Sequence, residues 1–282
     1  MNNAIEAVNL SMYFGATPAL RDVSVCFGEQ KIYGLLGRNG AGKSTLLNLI
    51  SNRLIPTQGS ISIDGAPALE NDYAQGKIYY MGEKNLLPDT STVRDLFRWT
   101  KDFYPNFDKE YAARLAGEFG LNVKKKLKNL STGYLTIAKL IAALAANTPY
   151  VFFDEPVLGL DANHRELFYR ELIENYAENP RTIVISTHLI EEVADIVEQV
   201  VILKNGSILL DKPAEEVKSM GYCVSGKASQ VEQYCSGRDV LSIESLGGLK
   251  TACLIGKPDA LPNGLEVTPL DLQKLFVRLT NA

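Results

Sequence analysis

The sequence predicts an α/β fold in which a mostly parallel sheet is covered by helices, with a helical insert and a small C-terminal α+β segment. Three observations carry this expectation. Short apolar runs alternate with helix-spaced stretches on either side of the chain's middle, and such alternation builds parallel sheets. One of these runs, Lys31–Leu36, ends on a Gly-rich loop that opens a helix. Between Thr92 and Asn147 no β-rich run appears, and the apolar spacing is helical throughout.

Taken in order, Ala4–Leu10 and Asp22–Phe27 alternate like edge or hairpin strands, an antiparallel β subdomain beside the main sheet. Lys31–Leu36 is a short buried strand, and Ser44–Arg53 has helical spacing through Leu46, Leu47, Leu49 and Ile50. Pro56 and Gly59 close that helix before the strands Ser60–Asp64 and Lys77–Met81. The insert carries Val93, Leu96 and Phe97, then Leu115 and Phe119, then Ile137, Leu140, Ile141 and Leu144. Alternation resumes with the strand Tyr150–Asp154, a helix over Ala162–Tyr176, the strand Thr182–Ser186, a helix over Leu189–Asp195 and the strand Val197–Lys204. Asp211–Met220 reads as a further helix with Pro213 near its start. Beyond it, the strands Tyr222–Ser225, Val240–Ser245, Lys250–Ile255 and Leu265–Thr268 alternate with helices Ser229–Cys235 and Leu270–Leu279. Gly247-Gly248 suits a hairpin turn. The expected division is 1–220, with an insert at about 90–148, and an accessory domain at 221–282.

A chain of 282 residues with 46% hydrophobic and 22% charged residues can bury a proper core. The net charge of −4 argues against a nucleic-acid partner, whose binding relies on cationic contacts to phosphate. Lys124–Lys126 with Lys128 form the one dense basic run, read as a solvated loop. Cys26, Cys223, Cys235 and Cys253 have no metal-site spacing and are expected as small buried hydrophobes in a reducing compartment. The N-terminal residues lack a signal-peptide pattern, and the longest apolar run, Leu140–Ala146, is far short of a membrane span.

Gly37, Arg38, Asn39, Gly40, Ala41, Gly42, Lys43 and Ser44 match G-x-x-x-x-G-K-[ST], and Thr45 follows within the helix. Glycines let backbone amides turn inward around phosphates at the positive end of the following helix. Lys43 would neutralise the β- and γ-phosphates of a nucleotide, and the Ser44 hydroxyl would hold Mg²⁺. Tyr150–Asp154 delivers Asp154 to the sheet's C-terminal edge, where α/β ligands bind, and Asp154 suits the water shell of Mg²⁺. Glu155 points differently and can polarise an attacking water.

At these residues the chain resembles the ATP-binding cassettes of ABC transporters, over Ala4 to Met220. Smaller motifs fall in the family's order. Ser131-Thr132-Gly133 resembles the signature loop, Leu158–Asp161 the D-loop with Asp161, and Ser186-Thr187-His188 the switch-histidine loop. Phe14, with Tyr13 as its alternative, falls where an aromatic stacks on adenine, and Glu83 where the family has a glutamine. Ser131 is also an ordinary N-cap for the apolar helix after it.

The resemblance implies a P-loop NTPase of the ABC cassette type, a Mg²⁺-dependent ATPase. Two cassettes, in a homo- or heterodimer, would enclose ATP between Gly37–Thr45 of one subunit and Ser131, Thr132 and Gly133 of the other. Glu155 and His188 would be catalytic, and Ser44, Asp154 and Glu83 would serve the metal. It further implies separate transmembrane permease subunits, possession of no span of its own, and a place on the inner face of the cell membrane, with an exporter as the expected system. A non-transport ATPase, such as a cofactor-assembly factor, is the alternative. Thr132, Tyr134 and Glu83 depart from the usual glycine and two glutamines; Glu83 cannot donate a hydrogen bond and adds negative charge beside that of ATP.

Overall fold

The computed structural model describes residues 3–84, 87–88, 90–259, 262–270 and 272–281. The chain opens with β1 (Ala4–Phe14) and β2 (Thr17–Gly28), a hairpin that the sequence signals as two shorter runs. Then come β3 (Ile32–Leu36), α1 (Lys43–Ile50), β4 (Gln58–Ile63), β5 (Ala66–Pro67), α2 (Asp72–Gln75) and β6 (Ile78–Met81). The insert contains α3 (Val93–Phe103), α4 (Lys109–Glu118) and α5 (Thr132–Ala145). After it follow β7 (Tyr150–Asp154), α6 (Ala162–Glu178), β8 (Thr182–Thr187), β9 (Gln199–Lys204), β10 (Ser207–Pro213) and α7 (Ala214–Lys218). The C-terminal part holds β11 (Gly221–Lys227), α8 (Ala228–Cys235), β12 (Val240–Leu246), β13 (Leu249–Ile255), β14 (Glu266–Pro269) and α9 (Leu272–Asn281).

The main sheet has the order β10-β9-β3-β8-β7-β6, parallel except for the β9–β10 hairpin. Its central strands β3, β7 and β8 are buried at every position because both faces are covered. Along β7, Val151 and Phe153 join the core beneath α5 and α6, while Tyr150 and Phe152 join the core shared with α1 and the β1–β2 hairpin. The antiparallel sheet, β2-β1-β4-β5, lies on that second side.

Capping side chains define the insert. Thr92 and Asp95 form a reciprocal capping box on α3, Asp108 caps α4, and Ser131 accepts from the Tyr134 N–H at 3.3 Å to cap α5.

Two sequence expectations need correction here. Residues 189–195 form no α-helix but a short 3₁₀ turn at Ile190–Glu192, entered through Leu189, whose N–H donates to the Thr187 hydroxyl at 3.0 Å. The helix expected over Asp211–Met220 is shortened to α7, and its first residues belong to β10. Asn205-Gly206, both at positive φ, turn β9 back into β10 with Lys204 opposite Ser207.

The C-terminal sheet, β12-β13-β11-β14, is antiparallel, and Gly247-Gly248 form the expected turn between β12 and β13. On one face α8 packs Val231 and Tyr234 against Tyr222, Val224, Ala252 and Leu254. The other face turns Cys223 and Cys253 into the main core together with Leu272, Leu275 and Phe276 of α9. Those two cysteines sit opposite each other in register and form a disulfide, contrary to the expectation of free thiols. Cys26 also departs from it: the alternation of β2 buries Val25 and Phe27 and turns Cys26 outward.

Candidate nucleotide site

The Gly-rich loop 37–42 links β3 to α1 at the C-terminal edge of the main sheet. At Gly42 the backbone takes φ +109°, and a Cβ would meet the Ala19 carbonyl oxygen at 2.8 Å, so only glycine fits this pivot. The loop returns Lys43 over itself: its side chain is 6% exposed and its ammonium donates to the Gly37 carbonyl at 2.7 Å. Ser44, one residue into α1, is exposed, as are Arg38, Asn39 and Gly40 on the loop's outer side, whereas Ala41 is buried and Thr45 half-buried.

β7 and β8 end side by side and bring the acidic residues to this loop. Asp154 is 3% exposed and accepts from the Ser186 hydroxyl at 2.8 Å and the Tyr80 hydroxyl at 3.0 Å. Burial lifts the Tyr80 phenol far above its ordinary range, and the neighbouring Asp154 charge adds to this, so it stays a donor. Arg53 lies over the Tyr80 ring at 4.4 Å. Glu155 takes the left-handed backbone region, φ 50°, while its N–H donates to the Ser186 carbonyl at 2.8 Å. That bend aims its carboxylate at three groups: Lys43 Nζ at 3.5 Å, His188 Nδ1 at 2.9 Å and the Thr187 hydroxyl at 3.3 Å. A non-glycine residue in this region costs about 1–3 kcal/mol, tolerated where surrounding contacts fix it.

The expected signature loop and D-loop meet in a second group. Gly133 faces the Gly159 carbonyl so closely that a Cβ would lie 2.6 Å from its oxygen, and the Thr136 hydroxyl donates to the Leu158 carbonyl at 3.2 Å. Thr132 and Gly133 therefore pack on Gly159 of their own chain. Asp161 caps α6, accepting from the His164 N–H at 2.9 Å. Phe14 and Tyr13, 51% and 43% exposed, end β1 at its hairpin turn. Glu83 is exposed, and its carbonyl accepts from Lys139 of α5 at 2.5 Å, with the Gly82 carbonyl at 3.1 Å. Burial holds the Lys139 amine below the ordinary lysine range.

Tyr80 and Lys139 escape sequence reasoning. Tyr80 reads as one residue of an ordinary strand, and Lys139 as a polar break in an apolar helix.

A family model described as ABC transporter matches residues 20–158. YtrB, an ABC transporter ATP-binding protein of Bacillus subtilis, is 31% identical over 214 residues, 76% of this chain and 73% of its own. This chain belongs to the ABC transporter ATP-binding family. The energy-coupling factor transporter ATP-binding protein EcfA2 of Staphylococcus aureus is 29% identical over 71% of this chain and 74% of its own. A solved ATP-binding subunit of an ABC transporter matches with a TM-score of 0.68 at 25% identity, covering 76% of this chain and 91% of that one. A bacterial ABC transporter cassette solved as a dimer shares the fold at a TM-score of 0.66 and 23% identity, over 74% of this chain and 98% of that one. The cassette is thus an ATP-binding and ATP-hydrolysing subunit of the ABC transporter type. Among the described residues no helix is long and apolar enough to cross a membrane.

Proposed function

We propose that two such cassettes, alike or unlike, pair head to tail and enclose ATP between the 37–45 cradle of one and the Ser131–Gly133 loop of the other. One observation carries this reading: the Glu155 carboxylate converges on Lys43 and His188 where β3, β7 and β8 end. Lys43 meets the γ-phosphate, and Glu155 takes a proton from the attacking water while His188 holds the carboxylate in place. Among the described residues no three carboxylate, histidine or cysteine side chains cluster tightly enough to hold a metal ion on their own. Mg²⁺ would enter with the nucleotide, and Ser44, Asp154 and Glu83 would offer it hard oxygen donors. Bound there, the ion would neutralise the phosphate charge. Phe14 would stack on the base and Asp161 would sit at the dimer seam.

From a place on the inner face of the cell membrane the cassette passes the work of the cycle to separate transmembrane permease subunits, with no nucleic acid involved. Binding closes the pair because a γ-phosphate touched from both sides favours the closed state. The solution mass of a Glu155→Gln variant tests this. ATP should double the mass, with turnover reduced by about 100-fold or more. A monomer that binds ATP yet never doubles would defeat self-pairing and point to an unlike cassette.

A further inference from the structure

Helix α5 contains one charged residue, Lys139, and the helix around it is mostly buried. An ammonium placed there gives up part of its hydration, so its partners must replace what water supplied. Those partners are the carbonyls of Gly82 and Glu83, at 3.1 and 2.5 Å, directly after β6. β6 runs parallel beside β7 with Met81 opposite Phe153, so this turn leaves the sheet at the same edge as Asp154. Two helical turns before Lys139, on the same face of α5, Thr132 packs on Gly159. One rigid helix therefore joins the Ser131–Gly133 loop to the turn that carries Glu83.

The charges at this junction oppose one another. Burial disfavours the Lys139 ammonium, the Glu83 carboxylate favours it, and Arg53 disfavours it again. Glu83 is thus near enough for its charge to act on Lys139. The need runs the other way too. A carboxylate brought beside the phosphates of ATP repels them, and a neighbouring cation offsets that repulsion. Where a glutamine stands, no such cation is required.

We propose that Lys139 is a positioning residue for the nucleotide: it holds the 82–83 turn on α5 and balances the Glu83 charge, which lets this carboxylate stand beside the γ-phosphate. This role rests on the reading that places ATP in the 37–45 cradle with Glu83 next to it.

Nucleotide affinity tests it, measured with Mg²⁺ in the full chain carrying Glu155→Gln to slow turnover. Lys139→Met keeps the length of the side chain and removes its charge. It should weaken ATP binding about tenfold but ADP binding less than about twofold, because ADP brings no γ-phosphate to this edge. In a chain that also carries Glu83→Gln, the same substitution should cost less than about twofold for ATP as well, since no carboxylate is left to balance. An equal loss in both backgrounds would leave Lys139 a merely structural hold on the turn and overturn the pairing. Full-strength ATP binding by Lys139→Met would overturn it too, with the cradle reading intact. A parent chain that binds no ATP would defeat that reading and the role of Lys139 with it. Should Lys139→Met fail to fold, Lys139→Gln keeps an amide donor, drops the charge and should show the same dependence on Glu83.

Discussion

Asp154 illustrates how much of a site rests on side chains that carry no motif. Its carboxylate is nearly enclosed, and its fixed position depends on the Ser186 and Tyr80 hydroxyls. Ser186 lies in a recognisable strand-end motif, whereas Tyr80 comes from β6, in register with Phe152 two residues before Asp154. A hydrogen bond to a charged group contributes about 1.5–3 kcal/mol. Tyr80→Phe should therefore lower stability by about that amount in urea titration, since the ring and its packing remain. A change under about 0.5 kcal/mol would mean that Ser186 alone suffices. The bend at Glu155 belongs to the same scale: an acidic pair after an apolar strand is legible in sequence, but the left-handed backbone that separates the two carboxylates is not.

At the scale of elements, the contact between α5 and the 158–160 loop couples two motifs of one chain. A methyl group at position 133 would meet backbone, which cannot swing aside as a flexible side chain can. Gly133→Ala should push the start of α5 away from Gly159 at a cost of about 1–3 kcal/mol. In a Glu155→Gln background it should abolish the ATP-dependent mass increase while leaving ATP binding within about twofold, because the cradle lies elsewhere. Dimerisation at the parent's level would show that the contact yields freely. This scale was the most legible in sequence, because buried parallel strands such as Tyr150–Asp154 are continuous apolar runs between polar turns. It was least legible between 189 and 220. There Ile190 and Val193 mimic helical spacing, but the chain makes a 3₁₀ turn followed by a second turn at 193–197, and Thr187 occupies the Leu189 N–H. The Asn205-Gly206 pair was the overlooked signal, a hairpin turn that commits Ser207–Pro213 to β10 before α7 begins.

The whole molecule joins its C-terminal sheet to the switch-histidine region. α9 packs on the 190–192 turn that follows His188, and the Lys204 ammonium donates to the Leu279 carbonyl at 3.1 Å. The disulfide between Cys223 and Cys253 pins the centre of that sheet, with β11 and β13 held at the pair that faces the main core. Sequence spacing could not reveal it, since the two residues are 30 apart and meet only through the strand register. A cross-link closing a loop of this length stabilises by roughly 3–4 kcal/mol in the chain-entropy account. Reductant should therefore lower the urea midpoint of the oxidised protein, and a Cys223→Ser/Cys253→Ser variant should match the reduced form and ignore reductant. ATPase activity should fall with the same midpoint, because loosening the sheet withdraws α9 from the turn beside His188. A midpoint indifferent to reductant would mean that the bond does not form in solution. Loss of the C-terminal transition without loss of activity would instead leave the bond intact as a local staple and sever its link to the catalytic edge.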